Sequence, residues 1–192
     1  MKNVKNKIAI TGIVGSGKST VTKIFQDLNY AIFDSDVCTS NLYEDEDVIT
    51  FLKDKFNESF EDGIFIKEKL SKLVFSNNQK LKELNDFMHP LIEAKMQEAF
   101  LKNDITVSEV PLLFEANLQH YFDIIIVVYS DLEIIKERLI KRGYTKQKIN
   151  NIINKQIPLD EKVNKATVVF DNNSDQETLK KKVEIWIKEN LE

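Results

Sequence analysis

Between Gly12 and Thr20 the chain reads GIVGSGKST: glycine, four residues, glycine, lysine, serine. Residues of these types at this spacing suit one task, the holding of a polyphosphate. Backbone N–H groups of a glycine-rich turn and of the helix after it face the anion, and the glycines let the chain wrap it without Cβ clashes. The lysine then reaches the β- and γ-phosphates, and the hydroxyl that follows holds Mg²⁺. Gly12, Val14, Gly15, Ser16, Gly17, Lys18, Ser19 and Thr20 are therefore the candidate ATP-binding residues, with Ser19 the candidate ligand of nucleotide-bound Mg²⁺. A flexible glycine turn with no ligand leaves Lys18 unexplained.

Two carboxylates and two guanidiniums extend the constellation. Asp34 and Asp36 end the stretch YAIFDSD at i and i+2, on one side of the chain if the extended conformation persists. A carboxylate at the same sheet edge as the phosphate loop can take the proton of an attacking hydroxyl. The other reading is a turn or helix-capping pair. Arg138 and Arg142 are the only arginines in the chain. Four residues apart on one helix face, their planar forks suit the chelation of a polyphosphate, a task lysine does less well. A solvated face beside Glu133 and Glu137 is the alternative; a chain that uses lysine everywhere else favours the clamp. His89, ahead of Pro90, either contacts substrate or packs, and packing is the simpler reading. His120 and Trp186 read as structural. No Cys/His or carboxylate cluster has the spacing of a structural metal site, so the metal implied is Mg²⁺ carried by ATP, with no tightly bound organic cofactor.

These side chains need elements to hold them. KIAIT (Lys7 to Thr11) reads as a buried strand, and from Lys18 to Leu28 the residues Val21, Ile24, Phe25 and Leu28 form one helical stripe. Strand, glycine loop, helix is the context a phosphate loop requires. YAIFDSD (Tyr30 to Asp36) is a second strand. Long helical patterns follow, broken by the turn at Gly63 and by Pro90, and read as an insertion rather than a separate domain. ITVSEVP and DIIIVVYS return to strand chemistry, the latter apolar throughout as parallel sheets require. Helices over Leu132 to Arg142 and Thr145 to Gln156, a last strand ATVVF, and a closing helix with Ser174 and Glu177 at capping-box spacing complete the chain. Gly143 marks the end of a helix in a mobile lid.

The order implies an α/β, three-layer P-loop fold. Its doubly wound, mostly parallel sheet has about five strands, with ligands at their carboxyl ends. One domain over 1–192 is expected, with a core of 1–43, 104–131 and 157–192, a helical acceptor-binding insertion at about 44–103 and a lid at about 132–156. With 27 basic against 31 acidic residues and a net charge of −4, a nucleic-acid or membrane partner is not expected. The start MKNVKNKIAI has no signal-peptide core, and Cys38 is the single cysteine, so a cytoplasmic location is expected.

A regulatory GTPase would carry DxxG and NKxD motifs. No glycine here has an aspartate three residues before it, and NKQI and NKAT both lack the final aspartate. A small-molecule kinase, needing an acceptor pocket, a base and a lid, fits better. The sequence resembles the dephospho-coenzyme A kinases along essentially its whole length. The resemblance is carried by TGIVGSGKST, FDSD, KLVF and MHPLI, by VPLLFEANL (Val110 to Leu118), by ERLIKRG followed by Gln156, and by Asn172. It implies transfer of the γ-phosphoryl group of ATP to the ribose 3′-hydroxyl of dephospho-CoA, the last step of coenzyme A biosynthesis. ATP and dephospho-CoA are the implied partners. Asp36 becomes the general base, Lys18 and the loop amides hold the phosphates, and Arg138 and especially Arg142 meet the transferring group. Asp34, Asp36, His89, Pro111, Leu112, Leu113 and Glu115 are placed at the acceptor, and Asn172 near the adenine. The family commonly has glycine at Ile13, arginine at Ser40, aspartate at Glu109 and polar residues at Ile135 and Thr167; for the arginine absent at Ser40 a lysine is expected to compensate. The alternatives are a kinase for another small hydroxyl acceptor, or a nucleotide sensor that transfers nothing.

Overall fold

Ile8 and Ile10 alternate with Ala9 and Thr11 along the first strand, β1 (Asn6–Thr11), and all four are buried. Burial of both faces is what a central parallel strand demands. In the computed structural model residues 6–192 are described; residues 1–5, where the reading of an absent leader begins, lie outside the described residues. After β1 come α1 (Lys18–Asp27), β2 (Ala31–Asp34), α2 (Ser35–Leu42), α3 (Glu46–Lys55), the short strands β3 (Phe60–Glu61) and β4 (Ile64–Phe65), α4 (Lys67–Phe75) and α5 (Asn78–Lys102). Then follow β5 (Ile105–Glu109), β6 (Ile124–Tyr129), α6 (Leu132–Lys141), α7 (Lys146–Ile153), α8 (Leu159–Asn164), β7 (Val168–Asp171) and α9 (Gln176–Asn190).

The chain forms two compact units, one from the residues up to Phe33 together with Phe100–Glu192, the other Asp34–Ala99. The first holds a five-stranded sheet in the order β2-β5-β1-β6-β7, with β1 parallel to both β5 and β6, and β6 parallel to β7. Ile8, Ile10, Val107, Ile126 and Val128 meet Val21, Ile24 and Phe25 of α1 and Leu179, Val183 and Ile187 of α9 in its main core. The order turns at β1: the chain first runs to β2 and β5 on one side, then to β6 and β7 on the other. Such a switch point opens a crevice at the carboxyl ends of the strands. The glycine loop leaves β1 at that place.

The second unit has its own core of Leu42, Val48, Leu52, Phe56, Leu70, Val74, Leu84 and Met88. It begins at Asp34, earlier than the insertion read from the sequence, because α2 follows β2 without a break. The turn at Gly63, where φ is +80°, closes an antiparallel hairpin of β3 and β4.

Three local readings are corrected. The extended chain does not persist to Asp36: Asp34 Oδ1 accepts from the amides of Asp36 (2.8 Å) and Val37 (3.0 Å) and caps α2. Pro90 does not interrupt the helical pattern but lies inside the continuous α5, at a cost of about 3 kcal/mol that the burial of Leu84, Met88 and Met96 helps to offset. The cap of α9 is Asp175, not Ser174, because the Asp175 carboxylate accepts from the Thr178 amide at 2.9 Å. Gly143 does end its helix: its amide reaches Ile140 O at 2.9 Å and the Tyr144 amide reaches Leu139 O at 3.1 Å, the paired bonds of a Schellman motif. No described helix is long and apolar enough to cross a membrane.

Candidate active site

The loop from Gly12 to Thr20 is shaped by contacts that exclude side chains at two of its glycines. A Cβ on Gly12 would stand 2.6 Å from the Val128 carbonyl, and one on Gly17, where φ is +107°, would collide with the Asn172 amide. Two loop amides have protein acceptors: Ser16 N donates to Ile13 O at 3.2 Å and Val14 N to Gln156 Oε1 at 3.1 Å. Those of Gly15, Gly17, Lys18 and Ser19 have none among the described residues. Unpaired amides at the start of α1 are an anion site. Ser16 Oγ is buried without a partner, and Ser19, on the first turn of α1, is exposed. This set fits a nucleotide's phosphates with Mg²⁺ at Ser19; among the described residues no cluster of three or more His, Cys, Asp or Glu would hold a metal by itself.

Lys18 is buried, and its ammonium donates to Ile13 O at 3.1 Å. Burial lowers its pKa to about 8; the Glu109 carboxylate works against this, while Lys162 and Arg142 add to it. A desolvated ammonium on a loop with open amides gains most when a polyphosphate arrives. Glu109 in turn accepts from Thr22 Oγ1 at 3.0 Å, which fixes the end of β5 to α1.

Behind the loop lies a strap of hydrogen bonds. Ser16 O accepts from Asn172 Nδ2 at 2.7 Å and from Arg138 Nη1 at 3.4 Å. Asn172 O accepts from Arg138 Nη2 at 2.8 Å and from Ser130 Oγ at 2.8 Å, and Arg138 Nη1 also donates to Ser130 Oγ at 3.0 Å. The two arginines thus differ. Arg138 is half-buried with protein oxygens on its fork, and burial together with the nearby Arg142 lowers its pKa; Arg142 is exposed at the end of α6. Asn172 likewise has its side chain on the loop carbonyl.

In the turn after β5, Pro111 and Leu112 are exposed while Leu113 is buried. Glu115 is half-buried: its carboxylate accepts from the Ile157 amide at 2.8 Å and faces Lys162 Nζ at 2.8 Å. In the second unit Asp34, Asp36 and His89 are all exposed, so the packing reading of His89 fails. Lys67 Nζ donates to Ser40 Oγ at 3.1 Å, so a lysine does reach Ser40. His120 lies with its ring 4.1 Å from that of Tyr121, and Trp186 packs edge-on against Phe170.

Sequence reasoning gave no role to Ser130, Gln156 or Lys162. For Lys162 a signal existed: it stands three residues after Leu159 on a short helix, and both are buried. A lysine on the buried stripe of a helix asks for a counter-ion.

The sequence profile of the dephospho-CoA kinase family matches residues 6–178. A dephospho-CoA kinase from Fusobacterium nucleatum is 35% identical over 182 residues, covering 92% of this chain and 94% of that protein. The crystal structure of TT1252 from Thermus thermophilus matches with a TM-score of 0.82 at 29% identity, over 96% of this chain and 97% of that one. A dephospho-CoA kinase from Campylobacter jejuni shares the fold with a TM-score of 0.69 at 24% identity, over 97% of both chains.

Proposed function

The chain belongs to the dephospho-CoA kinase family, and from that premise we propose that it transfers the γ-phosphoryl group of ATP to the ribose 3′-hydroxyl of dephospho-CoA, giving CoA and ADP. The observation that carries the proposal is the glycine loop, whose free amides and buried lysine stand at the switch point of a chain matched along nearly its whole length.

In the proposed reaction the 3′-oxygen attacks the γ-phosphorus, the bond from that phosphorus to the β–γ bridging oxygen breaks, and the hydroxyl proton passes to Asp36. Lys18 and the amides of Gly15, Gly17, Lys18 and Ser19 hold the β- and γ-phosphates. Ser19 would hold the Mg²⁺ that arrives with ATP, which would supply positive charge against the phosphates. Arg142, exposed at the base of a lid over about 132–156, meets the transferring group, while Arg138 and Asn172 serve by fixing the loop. Asp34, Asp36, His89 and the turn from Pro111 to Glu115 form the acceptor side. Lys67 supplies the cation where Ser40 stands. The compartment we propose is the cytoplasm, where Mg·ATP is available and a lone thiol such as Cys38 stays reduced.

Incubation of the protein with Mg·ATP and, in parallel, dephospho-CoA, adenosine, AMP or no acceptor tests this through ADP release and acceptor mass. A phosphate gained by dephospho-CoA alone is expected. Phosphorylation of another acceptor instead would overturn the substrate, and ADP with no modified acceptor would overturn the transfer.

A further inference from the structure

Lys162 has a side chain with no exposed surface, and its ammonium is held by the turn after β5. Nζ lies 3.2 Å from Pro111 O, 2.8 Å from Glu115 Oε1 and 3.1 Å from Glu115 Oε2. Pro111 O is shared with the hydroxyl of Thr11, the residue that enters the glycine loop, at 3.5 Å. Glu115 Oε1 also accepts from the Ile157 amide, and the neighbouring Gln156 reaches Val14 N inside the loop. The segment from Gln156 to Lys162 therefore grips both the glycine loop and the turn after β5.

We infer that Lys162 is a positioning residue for phosphoryl transfer, its buried ion pair with Glu115 fixing the turn from Pro111 to Glu115 against the root of the glycine loop. The inference rests on the proposed kinase reading. An apolar residue of similar size would fill the site at less desolvation cost, since replacing a buried ion pair by a packed hydrophobic pair is often neutral or stabilising. What methionine at 162 would lack is the set of donors that holds Pro111 O and the Glu115 carboxylate. With its oxygens on Lys162 and the Ile157 amide, Glu115 braces this turn, which the proposed reaction places on the acceptor side. Lys18 feels the charge of both members of the pair.

The test uses Lys162→Met, Glu115→Gln and the double variant Lys162→Met/Glu115→Gln. Thermal midpoints are measured alongside calorimetric titration with MgADP, which reports stoichiometry and Kd separately, and steady-state turnover with dephospho-CoA. Lys162→Met alone leaves a half-buried carboxylate without its cation and should unfold more easily. The double variant should regain most of the midpoint yet bind MgADP about fivefold more weakly at full stoichiometry, with kcat lowered about tenfold. A purely structural pair would change the stoichiometry or the midpoint and leave Kd alone. A double variant with the wild-type Kd therefore overturns the inference. If neither methionine variant folds, the isosteric Glu115→Gln decides on the same Kd, an unchanged value overturning it. Because MgADP binding needs no acceptor, the inference and the substrate assignment fail separately: wild type that binds MgADP but leaves dephospho-CoA unmodified sinks only the latter.

Discussion

The side-chain amide of Asn172 donates to the carbonyl of Ser16 at 2.7 Å, tying the end of the last strand to the middle of the glycine loop. Both residues are buried, so the bond is sheltered and its loss leaves a carbonyl with weaker partners only. Asn172→Ala should cost about 1–3 kcal/mol of stability. It also separates two roles. A residue that fixes the loop affects every nucleoside triphosphate alike, whereas one that reads adenine affects ATP more than GTP. Equal weakening of ATP and GTP binding by calorimetry is expected; a loss confined to ATP would return Asn172 to the base.

Arg138 and Arg142 should part in the same way. Removing Arg138 takes donors from Ser16 O, Ser130 Oγ and Asn172 O together. Arg138→Ala is expected to lower the thermal midpoint, by about 1–3 kcal/mol in stability, as well as kcat. Arg142→Ala, at an exposed position, should leave stability within about 0.5 kcal/mol of wild type while kcat falls by about 10²-fold or more. Thermal melts and turnover on the two variants check the division, and a midpoint lowered equally by both would contradict it.

What the sequence made legible follows from how local each feature is. Strand β1, the glycine loop and α1 are contiguous, and the Gly143 stop needs only its own last turn. The capping of α2 by Asp34 is local too, but an aspartate after a strand reads as base or cap with equal ease. The strap behind the loop and the Lys162–Glu115 pair were not legible. Asn172 lies 156 residues from Ser16, Arg138 lies 122 from it and Lys162 lies 47 from Glu115. No spacing rule reaches across such separations. Two arginines on a helix look alike until the fold gives one of them a carbonyl to hold.

Lys18 gives a pH-dependent prediction. Burial lowers its pKa from 10.5 to about 8 in the folded protein. The folded state therefore binds fewer protons than the unfolded state between those values, and from this group alone stability rises with pH across that window. Below pH 8 the penalty is fully present, on the order of 3 kcal/mol before the bond to Ile13 O is set against it. Lys18→Met should accordingly raise the ligand-free thermal midpoint at pH 7, with the gain shrinking towards pH 10, and abolish detectable MgADP binding. A variant that melts lower than wild type at pH 7 would show that the bond to Ile13 outweighs the desolvation.

The two aspartates after β2 are distinguished by what their oxygens hold. Asp34 Oδ1 accepts from two backbone amides, whereas the Asp36 carboxylate has no hydrogen bond among the described residues and is exposed. The Asp34 carboxylate is tied to the start of α2 by its cap, which leaves that of Asp36 the freer to turn to an incoming hydroxyl. Asp34→Asn keeps an oxygen for the cap and should preserve stability, while Asp34→Ala should lose about 1 kcal/mol. Asp36→Asn should leave Mg·ATP binding as it is, because the glycine loop is untouched, and lower kcat by about 10²- to 10⁴-fold. Binding by calorimetry and single-turnover rates with dephospho-CoA separate these effects. If Asp36→Asn turns over normally and Asp34→Asn does not, the base is Asp34, and its cap is a second duty of the same carboxylate.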